Sequence, residues 1–224
     1  MSKIDELIKK HCPNGVVYKH LWELTYWDKK FNAVDKVKQP RTIKYTYFLA
    51  NDLKPLIVEN GDVKILTTSP SNLYTTQELA GSTVSEGEIV SIPWGGNPNV
   101  QYYKGKFITG DNRIATSIDK NILSNKFLYY VMKNKQEEIG SFYRGAGIKH
   151  PSMAKVLDLL IPVPPLPVQE EIVKILDSFT KLEAELEAEL EARRKQYEFY
   201  RNKLLCFNKI RGGYTTSSNV DEDK

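Results

Sequence analysis

The stretch that decides the fold runs from Gly145 to Lys195 and reads GAGIKHPSMAKVLDLLIPVPPLPVQEEIVKILDSFTKLEAELEAELEARRK. Residues 161–167, IPVPPLP, contain four prolines. Proline fixes its φ angle, lacks an N–H donor and biases the preceding residue towards extended backbone. The segment therefore predicts a stiff extended strap and not a helix. The sequence on either side predicts a globule joined by this strap to a long helix.

A single helix is predicted over residues 168–210. Acidic residues follow its first residue, Val168, and suit a helix N-terminus. Apolar or long side chains then recur at steps of three and four, which is typical of a coiled coil. About 40 residues make a helix on the order of 60 Å long. The predicted dimerisation residues form one seam: Ile172, Leu176, Phe179, Leu182, Leu186, Leu190, Tyr197 and Leu204.

The charges of this helix change sign along its length. Its first half carries alternate glutamates from Glu183 to Glu191, and its second half carries basic residues from Arg193 to Lys203. Reversing one helix against a copy of itself places acidic residues opposite basic ones. The pattern favours an antiparallel homodimer, and the alternative is a lone helix lying on the globule. Residues 211–224 are predicted to be a flexible tail.

The excess positive charge lies in the predicted globule, residues 1–167. That segment carries 22 Lys and Arg against 16 Asp and Glu, whereas residues 168–210 carry 8 against 9. Hydrophobic residues make up 41% of the chain and aromatic residues 11%, enough for a packed core. A basic globule is compatible with a polyanionic partner such as double-stranded DNA.

The periodicity of the globule predicts an α+β fold. From Val16 to about Ile118, short runs rich in β-branched and aromatic residues alternate with turn formers, which indicates a twisted, mostly antiparallel sheet with long loops. The segment from Asn125 to Gly140 returns to helical spacing and predicts one helix capped by Gly140. We expect such helices to flank the sheet.

No catalytic motif is found in the sequence. It contains no GxGxxG after a strand, no Walker loop, no HExxH, no GxSxG and no adenine-methylation motif. The pairs Asp52/Lys54 and Asp62/Lys64 match a fragment of a metal-dependent nuclease site, but solvated turn charges explain them more simply. We therefore predict that the chain is not an enzyme.

Cysteine and hydropathy patterns add two expectations. Cys12 and Cys206 stand alone, without neighbours at ligand spacing, so neither a disulfide frame nor a metal site is predicted. The N-terminus lacks the apolar core of a signal peptide, and no apolar run reaches 18 residues. We expect a cytoplasmic protein with no membrane partner.

Candidate DNA-binding residues occur in four polar segments. Phosphate contacts need Lys, Arg, small polar groups or backbone amides, and base reading needs polar side chains on loops. The candidates are Arg144, Lys149 and His150 in YRGAGIKHPS; Asn97, Asn99, Gln101, Lys104 and Lys106 in PWGGNPNVQYYKGK, with Trp94 as a packing anchor; Asn112 and Arg113 in GDNR; and Lys38, Arg41 and Lys44 in KQPRTIKY.

Several of these stretches resemble the specificity subunit of type I restriction-modification systems. The similarity lies in His150-Pro151 with LLIPVPPLPVQEEIVKIL, in the helix ending YRNKLLCF, in GKFITGDNRIAT and in IDELIKKHCPNGV. It extends over about residues 3–208. A usual family member has two target recognition domains and two antiparallel helices in a chain roughly twice as long, so this chain resembles a half-length form.

The resemblance implies a non-catalytic DNA-recognition subunit. Such a subunit places two methyltransferase subunits, and in the full enzyme the restriction subunits, on a bipartite target. The cofactors S-adenosylmethionine, ATP and Mg²⁺ would bind those partners and not this chain. Two other functions stay open: a coiled-coil scaffold that binds protein without nucleic acid, and a nuclease.

Overall fold

A computed structural model describes residues 3–206 of the chain. The chain divides into two compact units between Ile175 and Leu176. The last residues of the predicted helix and the predicted tail, residues 207–224, lie outside the described residues.

The described part of the chain contains ten strands and eight α-helices. The strands are β1 Tyr18–His20, β2 Thr25–Trp27, β3 Val63–Leu66, β4 Tyr74–Thr75, β5 Ser85–Pro93, β6 Gln101–Thr109, β7 Asn112–Ser117, β8 Tyr143–Arg144, β9 His150–Pro151 and β10 Leu160–Pro162. The helices are α1 Lys3–His11, α2 Leu21–Leu24, α3 Ala50–Leu53, α4 Gln77–Ala80, α5 Asn125–Asn134, α6 Gln136–Ser141, α7 Met153–Leu157 and α8 Leu166–Leu205.

The main sheet has six strands in the order β2-β7-β5-β6-β3-β4. Its strand pairs are antiparallel except for β3 and β6, which are parallel. Two small antiparallel sheets join β1 to β10 and β8 to β9. The prediction of an α+β fold with a mostly antiparallel sheet and a long C-terminal helix is confirmed.

The long β5–β6 hairpin bends sharply along its length. Gln101 Nε2 donates to Thr67 O at 2.9 Å, while Thr109 pairs with Leu66. Eight extended residues would span about 26 Å, so β6 must bend for both its ends to reach the same segment. Gly105, with φ 138°, pairs with Gly87 between those ends. Only glycine adopts this φ without strain, so this pair provides the bend.

The largest hydrophobic core lies where α2, α5 and α7 pack against the sheet. On α5, the side chains of Phe127, Leu128 and Met132 are buried at helical spacing, as the sequence predicts. Ser124 caps this helix by accepting from Phe127 N at 3.2 Å.

The prediction of one helix from Asn125 to Gly140 is wrong. The chain breaks at Lys135, with φ −92° and ψ 14°, into α5 and α6. Gly140 lies within α6 and is not its cap. A Cβ atom on Gly140 would lie 2.9 Å from Pro98 Cγ. Glycine is therefore needed here for close packing against the loop that carries Pro98.

The sequence predicts that no residue of 161–167 is helical. This prediction is wrong for the last two residues of the segment, because α8 begins at Leu166. Proline is tolerated in the first turn of a helix, where its missing N–H has no intrahelical partner. The fully buried Gln169 then fastens this turn to the globule. Its Oε1 accepts from Ser124 N at 3.0 Å, and its Nε2 donates to the carbonyls of Ile122 and Pro164, each at 2.7 Å.

The first predicted seam residue also belongs to the globule. Ile172, together with Val173, packs against the largest core. From Leu176 to Leu205, by contrast, α8 contains no buried residue. Phe179, Leu182, Leu186 and Leu190 line one groove on this helix, so they share a face. Within residues 3–206, no helix is long and apolar enough to cross a membrane.

Candidate nucleic-acid interface

Three of the predicted DNA-binding residues lie on one short hairpin, residues 143–151, here called the basic hairpin. Its strands β8 and β9 pair Arg144 with His150, and Lys149 precedes β9. All three side chains are exposed. Gly145 has φ 144°, and a Cβ there would lie 2.7 Å from Ile148 O, so the tight turn requires glycine.

The basic hairpin lies against residues 94–100, here called the glycine loop, which connects β5 to β6. Gly96 N donates to Lys149 O at 3.0 Å. His150 Nδ1 lies 2.7 Å from Trp94 O, and the two rings are 5.1 Å apart. A Cβ on Gly95 would lie 2.8 Å from Ile148 Cγ2. The structure thus brings two sequence-distant candidate segments together.

Within the glycine loop, the polar candidates differ in exposure. Asn97 is exposed, whereas Asn99 is half-buried. Gln101, the first residue of β6, is also half-buried, and its amide already donates to Thr67 O. Asn97 is therefore the best placed of the three for a direct contact with a base or phosphate.

A cleft of about 530 Å³, here called the Trp94 cleft, lies beside both segments. Two lysines that the sequence analysis missed, Lys29 and Lys30, contribute to its wall. Lys29 Nζ lies 3.8 Å from the centroid of the Tyr47 ring, a cation–π contact. In the sequence they form an adjacent lysine pair that follows β2 after Asp28, a pattern that solvated surface also shows. Other residues lining the cleft are Trp94, Asp111, Arg113 and Ser152.

Asn112 and Arg113 are buried, which corrects their prediction as exposed DNA contacts. Asn112 Nδ2 donates to Leu66 O at 3.0 Å, inside the sheet. The Arg113 guanidinium lies 2.9 Å from Asp111 Oδ1 and 3.7 Å from Asp28 Oδ2. The segment GDNR starts a central strand, so its polar side chains are used within the fold.

The carboxyl group of Asp28 is the most perturbed acid near this site. Burial raises its pKa from 3.8 to about 6, against the opposing effects of the Ile114 N–H bond and the Arg113 charge. The hydrogen bond from Ile114 N to Asp28 Oδ1 is 3.1 Å long. Asp28 thus pairs with Arg113, which lines the Trp94 cleft, although removing the Asp28 carboxylate from water costs free energy.

Lys104 and Lys106 lie away from the glycine loop, on either side of the bend at Gly105. Both are exposed. Their cross-strand partners on β5 are Glu88 and Glu86, respectively. Opposite charges at paired positions offset each other, so these lysines do not extend a purely basic surface.

The fourth candidate segment, with Lys38, Arg41 and Lys44, also contains both paired and accessible residues. Lys38 Nζ pairs with Asp158 Oδ1 at 2.5 Å. Arg41 lies over the Tyr26 ring, 5.9 Å from its centroid, and is exposed, as is Lys44. The structure leaves Arg41 and Lys44 accessible and gives Lys38 an internal partner.

The two acids of the nuclease-like pairs lie in ordinary local structure. Asp62 Oδ1 accepts from Gln77 N at 3.2 Å, and Asp52 lies in the single turn of α3. In the part of the chain that the structure describes, no three His, Cys, Asp or Glu side chains gather as a metal site would require.

The comparisons with known proteins agree with this fold. The sequence model of a family described as "Type I restriction modification DNA specificity domain" matches residues 43–192, more than half of the chain. The chain belongs to this family. The resemblance found in the sequence is thereby confirmed.

Relatives in two bacteria carry the same family's name. A Haemophilus influenzae protein named as a type I restriction enzyme specificity subunit is 36% identical over 146 residues, covering 60% of this chain and 37% of the relative. An Escherichia coli type I restriction enzyme specificity subunit is 40% identical over 101 residues, covering 42% of this chain and 24% of the relative. The matched part of this chain spans well under half the length of these relatives.

Solved structures show the same fold. The crystal structure of a type I restriction-modification system S subunit from M. genitalium has a TM-score of 0.60 at 20% identity, covering 88% of this chain and 48% of that one. A structure from a study of type I system assembly has a TM-score of 0.51 at 17% identity, covering 83% of this chain and 44% of that one. In both, the match extends over about half of the solved chain.

Proposed function

We propose that this type I specificity-family chain is a non-catalytic DNA-recognition subunit. It reads double-stranded DNA with the basic hairpin and the glycine loop. It dimerises through α8, so that two copies read a bipartite, two-fold symmetric target and position methyltransferase subunits on it. The observation that carries the proposal is the meeting of two exposed, glycine-dependent polar segments in a chain of the DNA specificity family.

The DNA-facing part of the proposal is supported by charge and backbone geometry. Arg144 and Lys149 add two exposed cations, and Lys30 adds a third in the adjoining Trp94 cleft. Glycines let the backbone of both segments approach a phosphate closely. His150 and Asn97 offer polar side chains for base edges. Such a surface suits double-stranded DNA, which combines negatively charged phosphates with hydrogen-bond donors and acceptors on its base edges.

The dimeric part of the proposal is supported by the unburied seam of α8. Its leucines and Phe179 are exposed on one face, and the glutamates of 183–191 precede the basic residues of 193–203 along the helix. An antiparallel second copy would cover the apolar face and pair the charges. A two-fold dimer presents two identical readers, so its target should be an inverted repeat with an unread spacer.

Partner subunits would supply the chemistry. We propose that methyltransferase subunits, and possibly restriction subunits, bind S-adenosylmethionine, ATP and Mg²⁺, while this chain positions them. The purified chain should then neither methylate nor cleave DNA. Calorimetry with S-adenosylmethionine tests this directly, and measurable binding by the isolated chain would contradict it.

The first experiment removes two proposed phosphate contacts with Arg144→Ala/Lys149→Ala. DNA affinity should fall, and the salt slope of binding should flatten by about one to two phosphate contacts. The matched control, Lys10→Ala/Lys54→Ala, removes the same charge at exposed sites outside the proposed interface and should leave the slope unchanged. A folded double variant with the wild-type slope would remove these residues from the interface.

The second experiment identifies the target. Supplying methyltransferase subunits and mapping methylated adenines should reveal a site with two-fold symmetry. A wild-type chain that shows no salt-dependent DNA binding would instead favour a protein-binding coiled-coil scaffold. Plasmid cleavage by the isolated chain with Mg²⁺ would favour a nuclease.

A further inference from the structure

Arg113 is shielded from DNA but touches the residue that joins the two proposed DNA-facing segments. Its side chain is only 5% exposed. Its Cζ atom lies 4.2 Å from the centroid of the Trp94 ring, a close stacking distance for a guanidinium on an indole. A residue in this position can act on DNA only through its neighbours.

Acidic groups hold the guanidinium from two directions. Nη2 donates to Asp111 Oδ1 at 2.9 Å, and Nη1 lies 3.7 Å from Asp28 Oδ2. Nη1 also donates to Asn112 O at 2.6 Å. Arginine's planar fork satisfies several acceptors while one face stays on an aromatic ring, and lysine cannot reproduce this arrangement. The Trp94 ring therefore has a rigid, buried support.

Trp94 in turn connects the two segments of the proposed interface to the strand that carries Arg113. Its backbone N donates to Asp111 O at 2.9 Å, next to Arg113. Its carbonyl oxygen lies 2.7 Å from His150 Nδ1. Because a carbonyl can only accept, Nδ1 must carry the proton of this bond. The glycine loop and the basic hairpin are thus joined at Trp94.

We infer that Arg113 is a positioning residue for sequence discrimination: supported by Asp28 and Asp111, it holds Trp94 and thereby the placement of the basic hairpin relative to the glycine loop. The inference rests on the proposed DNA-reading function. It predicts that Arg113 governs how well one sequence is distinguished from another, and not how many phosphates are contacted.

The test compares wild type with Arg113→Lys, which keeps a positive charge beside Asp28 but loses the planar fork. The specific probe is the duplex that wild type enriches from a randomised pool, and the second probe is a scrambled duplex of equal length and composition. Affinity for the enriched duplex should fall at least about tenfold, the scale of one lost base-pair discrimination. Affinity for the scrambled duplex and the salt slope should stay unchanged.

A spectroscopic measurement separates positioning from general destabilisation. In ¹⁵N-resolved NMR spectra of the full chain, the Nδ1 proton of His150 should be observable in wild type and lost or shifted in Arg113→Lys. Arg194→Lys makes the same exchange at an exposed position of α8 and should change neither the signal nor the binding. The thermal midpoints of all three proteins are recorded alongside.

Two outcomes would overturn the inference. Full discrimination by folded Arg113→Lys would mean that Trp94 needs no such support. If that variant fails to fold, Trp94→Leu takes its place, and retained discrimination there would equally refute the inference. A wild-type chain that enriches no sequence would refute the proposed function itself, which is a distinguishable result.

Discussion

Leucine occupies two different environments in this chain. In the unit that ends at Ile175, the core leucines are at most 5% exposed. In the unit that begins at Leu176, the leucines of α8 from Leu182 onwards are 50–70% exposed. The buried set includes Leu21, Leu123, Leu128 and Leu157, and the exposed set includes Leu182, Leu186, Leu190 and Leu204.

The difference shows which unit can be stable alone. The first unit buries its leucines among residues distant in sequence, so one copy of the chain completes its core. From Leu176 to Leu205, the described part of α8 has no buried residue, and most helical stability in proteins comes from packing of an apolar face. The stability of the second unit should therefore depend on protein concentration, whereas that of the first should not.

The largest effect is expected from breaking the proposed seam with Leu182→Glu/Leu186→Glu. Each well-buried leucine contributes roughly 1.5–3 kcal/mol, and a symmetric dimer loses four of them. Self-association should weaken by at least about a thousandfold, as measured by sedimentation equilibrium. The control, Ala184→Glu/Ala188→Glu, adds the same charges on the opposite side of the helix and should stay dimeric. A monomeric wild type would end the dimer proposal.

The next effect sharpens the contrast between the two leucine environments. Leu128→Ala should lower the free energy of unfolding of the first unit by about 2–5 kcal/mol, because it leaves a cavity in the core. Leu190→Ala should change it by less than about 0.5 kcal/mol. Denaturant unfolding followed by tryptophan fluorescence measures this, since the chain's three tryptophans, Trp22, Trp27 and Trp94, all lie in the first unit. Equal losses of unfolding free energy in Leu128→Ala and Leu190→Ala would contradict the proposed difference between the two leucine environments.

Features that depend on local patterns were predictable from the sequence. The three-and-four spacing located α8, and alternating β-branched and aromatic runs located the sheet. The start of α8 was misplaced by two residues because the first turn of a helix tolerates proline. The role of Gly140 depends on packing against Pro98, which lies some 40 residues earlier in the chain.

The candidate site was only partly predictable, because exposure is a property of the whole fold. The two glycine-containing segments were identified separately, but no sequence pattern places His150 beside Trp94. Arg113 was predicted to bind DNA, yet Asp28, distant in the chain, provides a buried partner for it. The lysine pair after β2 was missed because nothing local distinguishes it from a solvated surface.

The smallest effect concerns the ionisation of Asp28, a largely buried residue of the first unit. Its folded pKa, about 6, is above the unfolded value of 3.8, so the folded chain binds this proton more tightly. Stability from this group is fully present below about pH 4 and is lost as the pH rises through about 6. The groups that face it are Arg113, Lys29 and Tyr45.

Asp28→Asn removes this titration while keeping an oxygen that can accept from Ile114 N. Relative to wild type, the variant should gain up to about 3 kcal/mol of unfolding free energy between pH 4 and pH 7, the amount that a pKa raised by about two units represents. Denaturant unfolding at several pH values measures the difference between the two proteins, which cancels the titration of other groups. Asp52→Asn, at an exposed position, controls for the lost carboxylate charge. A flat difference across this range would show that the Arg113 pairing outweighs desolvation at Asp28 and holds its carboxyl ionised throughout.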